Sequence, residues 1–178
     1  MSTFSAWWTQ LQAGSQPLPY VLMDCAGLKG GLAEVPKALF SELECLFTGE
    51  LANELADVGG YLGRLKALDD ATGQQLQAWF QQGVALVLLL PELRPGQGEE
   101  PNFSALHRHL RKFNVVYSPQ GKPLFWRYYD PRTLPEVLET LDGPQLRGFF
   151  GPFASMALGD ASGGVRCLAV AGEALSAS

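Results

Sequence analysis

The most apolar run in the chain is VALVLLL, Val84 to Leu90, closed by Pro91. An unbroken run of this kind predicts a strand buried on both faces, as in a sheet covered by helices. Before it, Asp70 to Gln82 carries Leu76, Trp79 and Phe80 as one apolar stripe with Gly83 after them, which predicts a helix with a glycine stop. Ser5 to Gly14, with Trp7, Trp8 and Leu11, reads as a first helix, and Tyr20 to Ala26 as a strand between Pro19 and Gly27. Leu39, Leu43 and Leu46 recur at helical spacing after Pro36, so Val35 to Cys45 is predicted helical. Phe47 to Asp57 reads as a loop with a short helix, and Tyr61 to Leu65 as a strand after Gly59-Gly60.

Past the turn-rich segment Gly96 to Pro101, Asn102 or Ser104 is placed to cap a helix that runs to Lys112 on Phe103, Leu106 and Leu110. FNVVYSPQGKPLFWRYYD then reads as a hairpin turning at Ser118 to Pro123. Leu134 to Leu141 is a further helix, and GPQLRGFFGPF a loop or short helical segment. Ala154 to Leu158 and Val165 to Val170 predict a last strand pair around DASGG, and residues 171–178 a frayed tail. The whole is one α/β (α+β) domain over 1–178, a mixed sheet packed with helices and a strand-rich second half.

Composition narrows the function. The chain has 178 residues, 47% hydrophobic and 17% charged, which fits a folded domain with few charges. Its net charge of −5 argues against nucleic acid, and HRHLRK, His107 to Lys112, reads as a solvated helix face. Cys25, Cys45 and Cys167 form no C-x-x-C pair, so reduced thiols in a cytoplasmic protein are expected. MSTFSAWWTQL lacks the features of a signal peptide, and VALVLLL is too short to span a bilayer. No nucleotide-binding, G-x-S-x-G or H-E-x-x-H signature occurs. His107 and His109 lie two apart on a predicted helix and point in different directions, so a shared metal is not expected; one packed and one solvent-facing ring is. No cofactor is expected.

The densest chemistry is LFWRYYDPRTL, Leu124 to Leu134. As a continuing strand it would put Leu124, Trp126 and Tyr128 on one face and Phe125, Arg127 and Tyr129 on the other. Asp130-Pro131 would turn the chain, with Asp130 capping the next helix. Arg127 suits either an internal aspartate or a partner's carbonyls, and Arg111 and Arg132 extend the group. Arginines and aromatics without a nucleophile point to recognition more than catalysis.

The order HRHLRKF, a hairpin, FWRYYDPRTL and GFFGPF resembles the DUF4123 family, and YVLMDCA, LFTGE and YLGRL fit the same pattern. The resemblance covers residues 20–153. It implies a non-enzymatic adaptor or chaperone of the bacterial type VI secretion system, which binds a toxic effector and helps load it onto the VgrG spike without being fired itself. The matching positions are His109, Leu110 and Arg111, then Arg127, Tyr128, Tyr129, Asp130, Pro131 and Arg132, then Phe150, Gly151 and Pro152. The resemblance implies a framework or a partner-binding surface for them, with Trp126 beside them. Arg132→Glu is then expected to weaken partner capture and spare the fold. Two alternatives stand next to this: a small hydrolase or transferase using Asp130 and His109, and a toxin-binding immunity protein.

Overall fold

Ala85–Leu89 lies in the middle of an eight-stranded sheet, as its unbroken apolar character requires. The computed structural model describes residues 2–14, 16–91, 102–118, 120–160 and 162–178. In chain order its elements are β1 (Ser2–Thr3), α1 (Phe4–Ala13), β2 (Tyr20–Asp24), β3 (Phe40–Cys45), α2 (Glu50–Glu54), β4 (Gly60–Leu65), α3 (Asp70–Gln82) and β5 (Ala85–Leu89). They continue as α4 (Phe103–Arg111), β6 (Val115–Tyr117), β7 (Pro123–Phe125), α5 (Leu134–Glu139), α6 (Gly143–Phe150), β8 (Ser155–Gly159), β9 (Gly164–Ala171) and β10 (Ala174–Ala177).

The main sheet runs β1-β9-β8-β5-β2-β4-β3, with β10 also on β9, and β6 and β7 form a separate ribbon. The α/β class and the helix-packed sheet are as expected. The ladders are antiparallel in every pair among the described residues, where the early alternation of helix and strand had suggested mixed directions.

Strand alternation divides the core in two. Tyr20, Leu22, Leu86 and Leu88 face a layer containing α4, α5 and α6. Val21, Met23, Ala85 and Val87 face α1 and α3 on the other side, with Trp79 among the largest fully buried side chains. The caps follow the sequence: Asn102 Oδ1 accepts from Ala105 N–H, Asp69 Oδ1 from Thr72 N–H, and Gly83 ends α3 at φ 64°.

Two predicted elements are different. Residues 35–45 are not a helix: a 3-10 turn at Lys37–Leu39 leads into β3, which pairs with β4. An irregularity between Phe40 and Glu42 shifts the register, so Phe40 and Leu43 both reach the α1/α3 side. That spacing of three imitates a helix. The tail is not frayed either. Ala174–Ala177 pairs with Leu168–Ala171, and Ser178 and Cys167 exchange backbone hydrogen bonds of 3.0 Å. The turn-rich segment Gly96 to Pro101 lies outside the described residues.

Candidate functional site

β2 ends in Asp24, whose N–H donates to Val84 O at 2.9 Å while the next residue, Cys25, donates to Gly59 O. The carboxylate therefore sits where β4 and β5 begin, with no exposed surface. Residues 126–132 cross this end of the sheet and bring a second carboxylate and two arginines. Arg127 Nη2 donates to Asp24 Oδ2 at 2.6 Å, and Arg132 binds both oxygens of Asp130 through Nε and Nη2, each at 2.8 Å. Arg132 Nη2 also lies 3.8 Å from Asp24 Oδ2, and Arg127 Nη2 4.0 Å from Asp130 Oδ2. Both arginine side chains are half exposed, at 50% and 57%, and so lie as a lid over buried anions.

The two carboxyls respond differently to this shared lid. Burial raises the Asp24 pKa above the ordinary aspartate value, and the Arg127 hydrogen bond only partly offsets it. Asp24 Oδ1 has no hydrogen-bond partner among the described residues. At Asp130 burial also raises the value, but the hydrogen bonds and charge of Arg132 outweigh it and hold the carboxyl below the ordinary range. Asp130 is thus an anion paired on both oxygens, a poor general base.

Every motif position can now be placed. The strand β7 stops at Phe125, so the expected alternation through Tyr129 does not hold. Tyr128 and Tyr129 are both buried, whereas Leu124 and Phe125 are both exposed. Tyr129 lies against Gly60, where a Cβ would meet its ring at 2.5 Å, and meets Phe47 edge-on. Half-buried Trp126 donates its N–H to Asn114 O and packs on Tyr128 and Phe149. Asp130 does not cap α5 with its side chain; it accepts from Arg132 N–H at 3.0 Å in a local turn, and its carbonyl accepts from Leu134. Pro131 is buried in that turn.

The HLR and FFGP motifs meet each other elsewhere. His109 Nε2 bonds Phe149 O at 2.8 Å, and the ring stands edge-on to Phe113 and Phe153. Gly151 ends α6 at φ 46°, Pro152 is half-buried after it, and Phe150 is buried in the core. His107 bonds Cys45 O at 2.8 Å, so both rings are engaged and neither is the solvent-facing one expected. Arg111 does not join the other arginines: its Nη2 donates to Thr48 Oγ1 at 2.8 Å. Arg132 is too engaged for the expected fold-neutral charge reversal, because a glutamate there would set a third carboxylate against Asp24 and Asp130.

The chain matches the family described as domain of unknown function (DUF4123) over residues 19–148. It belongs to that family. No curated protein and no solved structure matches it. Within this DUF4123 domain the motifs that carried the resemblance form two internal devices, an ion cluster and a histidine clamp. Sequence reasoning missed Asp24 as the partner of Arg127, although it stands in YVLMDCA as the acidic residue ending an apolar strand. It also missed Asn114, which donates to Leu46 O at 2.7 Å and is buried.

A cavity of about 440 Å³ opens beside the cluster, with Arg132, Arg166, Glu136 and Asp160 among its lining. Arg166 pairs with Glu139 at 3.2 Å, and Asp160 Oδ1 accepts from Ser162 and Gly164. No serine, cysteine, histidine or lysine lines it among the described residues.

Two predictions arise here. Tyr128 is fully buried and its hydroxyl has no hydrogen-bond partner among the described residues. Tyr128→Phe is expected to leave stability unchanged or raise it by up to about 1 kcal/mol, since an unsatisfied buried hydroxyl is removed with little change of shape. A denaturant midpoint clearly below wild type would contradict this. The second concerns pH. Burial lowers the His109 pKa from 6.5, more than the hydrogen bond to Phe149 O raises it, with Lys112 adding to the lowering. The unfolded chain therefore binds this proton first as pH falls below 6.5, and stability declines until the folded value is reached. Asp24 acts with the opposite sign: its raised pKa makes ionisation unfavourable in the fold as pH rises above 3.8. The difference between wild type and His109→Gln isolates the histidine. The variant should lose the decline below 6.5, and an unchanged pH profile would refute the assignment.

Proposed function

We propose that this DUF4123 chain is a non-enzymatic adaptor that binds a type VI secretion effector and promotes its loading onto the VgrG spike, acting in the cytoplasm. Family membership supports the reading through what the resemblance implies. The observation that carries it is the β6–β7 ribbon, which stands apart from the main sheet and presents Tyr117 at 71% exposure, Leu124 at 51% and Phe125 at 71%. Large apolar side chains clustered on an exposed element mark an association surface. Internal ion pairs and packing account for the polar residues of the motifs. Asp130 and His109 belong to separate sets of contacts, which favours the adaptor reading over the hydrolase alternative.

The mechanism is stoichiometric: hold a region of the effector, present it to the spike and dissociate. Capture with tagged protein from host lysate, followed by mass spectrometry, tests it. Near-stoichiometric recovery of a spike protein together with a toxin is expected. Recovery of a toxin alone, with its activity blocked, would establish the immunity-protein reading instead.

A further inference from the structure

The ribbon does not end in solvent on both faces. Val115 pairs with Phe125 and Tyr117 with Pro123, so these four side chains share one face. That face continues into a groove of about 190 Å³ whose floor is Leu46, Phe47 and Leu51 and whose wall is Val115 and Phe125. The space suits one large apolar side chain.

Two polar groups line the same groove. Asn114 is 6% exposed; its Nδ2 donates to Leu46 O, but its Oδ1 has no hydrogen-bond partner among the described residues. That oxygen is closed off from solvent, so Asn114 fixes the floor of the groove through its bond to Leu46 O and leaves recognition to its neighbours. Arg111 also lines the groove, and its one side-chain hydrogen bond among the described residues goes to Thr48. A guanidinium has five N–H donors and can hold one carboxylate through two parallel N–H···O bonds. No acidic side chain pairs with it among the described residues, although Glu50 and Glu54 stand on neighbouring α2. Exposed Lys112 and Lys122 add positive charge near the ribbon in a chain of net charge −5.

We propose that this groove is a docking site for a linear segment of a partner protein, in which one large apolar side chain stands next to an aspartate or glutamate. The apolar side chain fills the space between Leu51 and Phe125, and the carboxylate pairs with Arg111. The adaptor reading is needed only to say which protein supplies the segment.

The test uses a displayed library of random linear peptides selected on the full chain, followed by solution binding of the enriched sequences. Peptides with an apolar residue beside Asp or Glu should be enriched. Their binding should weaken about tenfold or more in Phe125→Ser and in Arg111→Glu, the range of an interface anchor. Lys29→Glu, a charge reversal at an exposed position that does not line the groove, should leave binding unchanged. Replacing the peptide's acid by lysine should abolish binding to wild type and restore it to Arg111→Glu. Both groove residues are exposed, so unchanged thermal melting is expected for the variants. Absence of enrichment, or enriched peptides indifferent to both groove variants, would overturn the proposal. The adaptor reading fails by a different result: the spike and effector do not copurify with the chain, whatever the peptides do.

Discussion

Gly151→Ala is expected to destabilise the domain by about 3 kcal/mol, combining the backbone penalty of a left-handed residue with overpacking. Gly151 has φ 46° and ψ −105°, where a side chain is strained whatever space surrounds it. Space is also lacking: a Cβ there would lie 2.5 Å from His109 Cε1 and 2.8 Å from Nε2. The ring cannot retreat, because the bond to Phe149 O and the edges of Phe113 and Phe153 hold it. In a His109→Ala background the steric part disappears and only the backbone part persists. Chemical denaturation of the four proteins in the cycle should therefore show a coupling above about 1 kcal/mol. Additive losses would mean that the histidine clamp does not exist as described.

Arg127→Met comes next, with an expected loss of about 2 kcal/mol near neutral pH. Removing one partner of a fully buried pair costs more than this, but Arg127 is half exposed and solvent screens part of the interaction. The variant leaves Asp24 buried with Arg132, 3.8 Å away, as its nearest charge partner. The Asp24 pKa is already raised by burial and would rise further without Arg127. The sign follows. A carboxyl with a raised folded value is easiest to bury when protonated, so the penalty of the variant shrinks as pH falls and grows as pH rises. Asp24→Asn in the same background should recover much of the loss. Denaturant midpoints measured from pH 3.8 up to neutral pH check both statements, and a pH-independent loss would show that Arg127 acts by packing alone.

The parts of this fold that were legible in the sequence are those where local pattern and tertiary demand coincide. Asp70 to Gln82 carries its own apolar stripe with a glycine stop after it, and the helix has those bounds. VALVLLL had no polar residue to turn outward, and it lies at the sheet centre. Phe40–Cys45 was misread because a register shift puts Phe40 and Leu43 on one side, and only pairing with β4 reveals it as strand. The tail was misread because AGEALSAS has small and polar residues with little apolar content, while its order comes from backbone bonds to β9.

The site divides in the same way. The sequence marked Arg127, Asp130 and Arg132 as chemically dense, but the partner of Arg127 lies 103 positions away at the end of β2. No local spacing encodes that contact. The strand alternation assigned to residues 124–129 failed because β7 ends at Phe125, after which Arg127 turns toward Asp24 and both tyrosines toward the core. Arg111 was grouped with the other arginines by composition, and the fold sends it to Thr48 on the groove instead.

Loading itself is the central claim, and the direct measurement is the amount of effector that copurifies with the VgrG spike from cells with and without this chain. The adaptor account predicts that deletion strips the effector from the spike, that the wild-type chain restores it, and that the chain stays behind when the effector is delivered. Equal loading with and without the chain would contradict it.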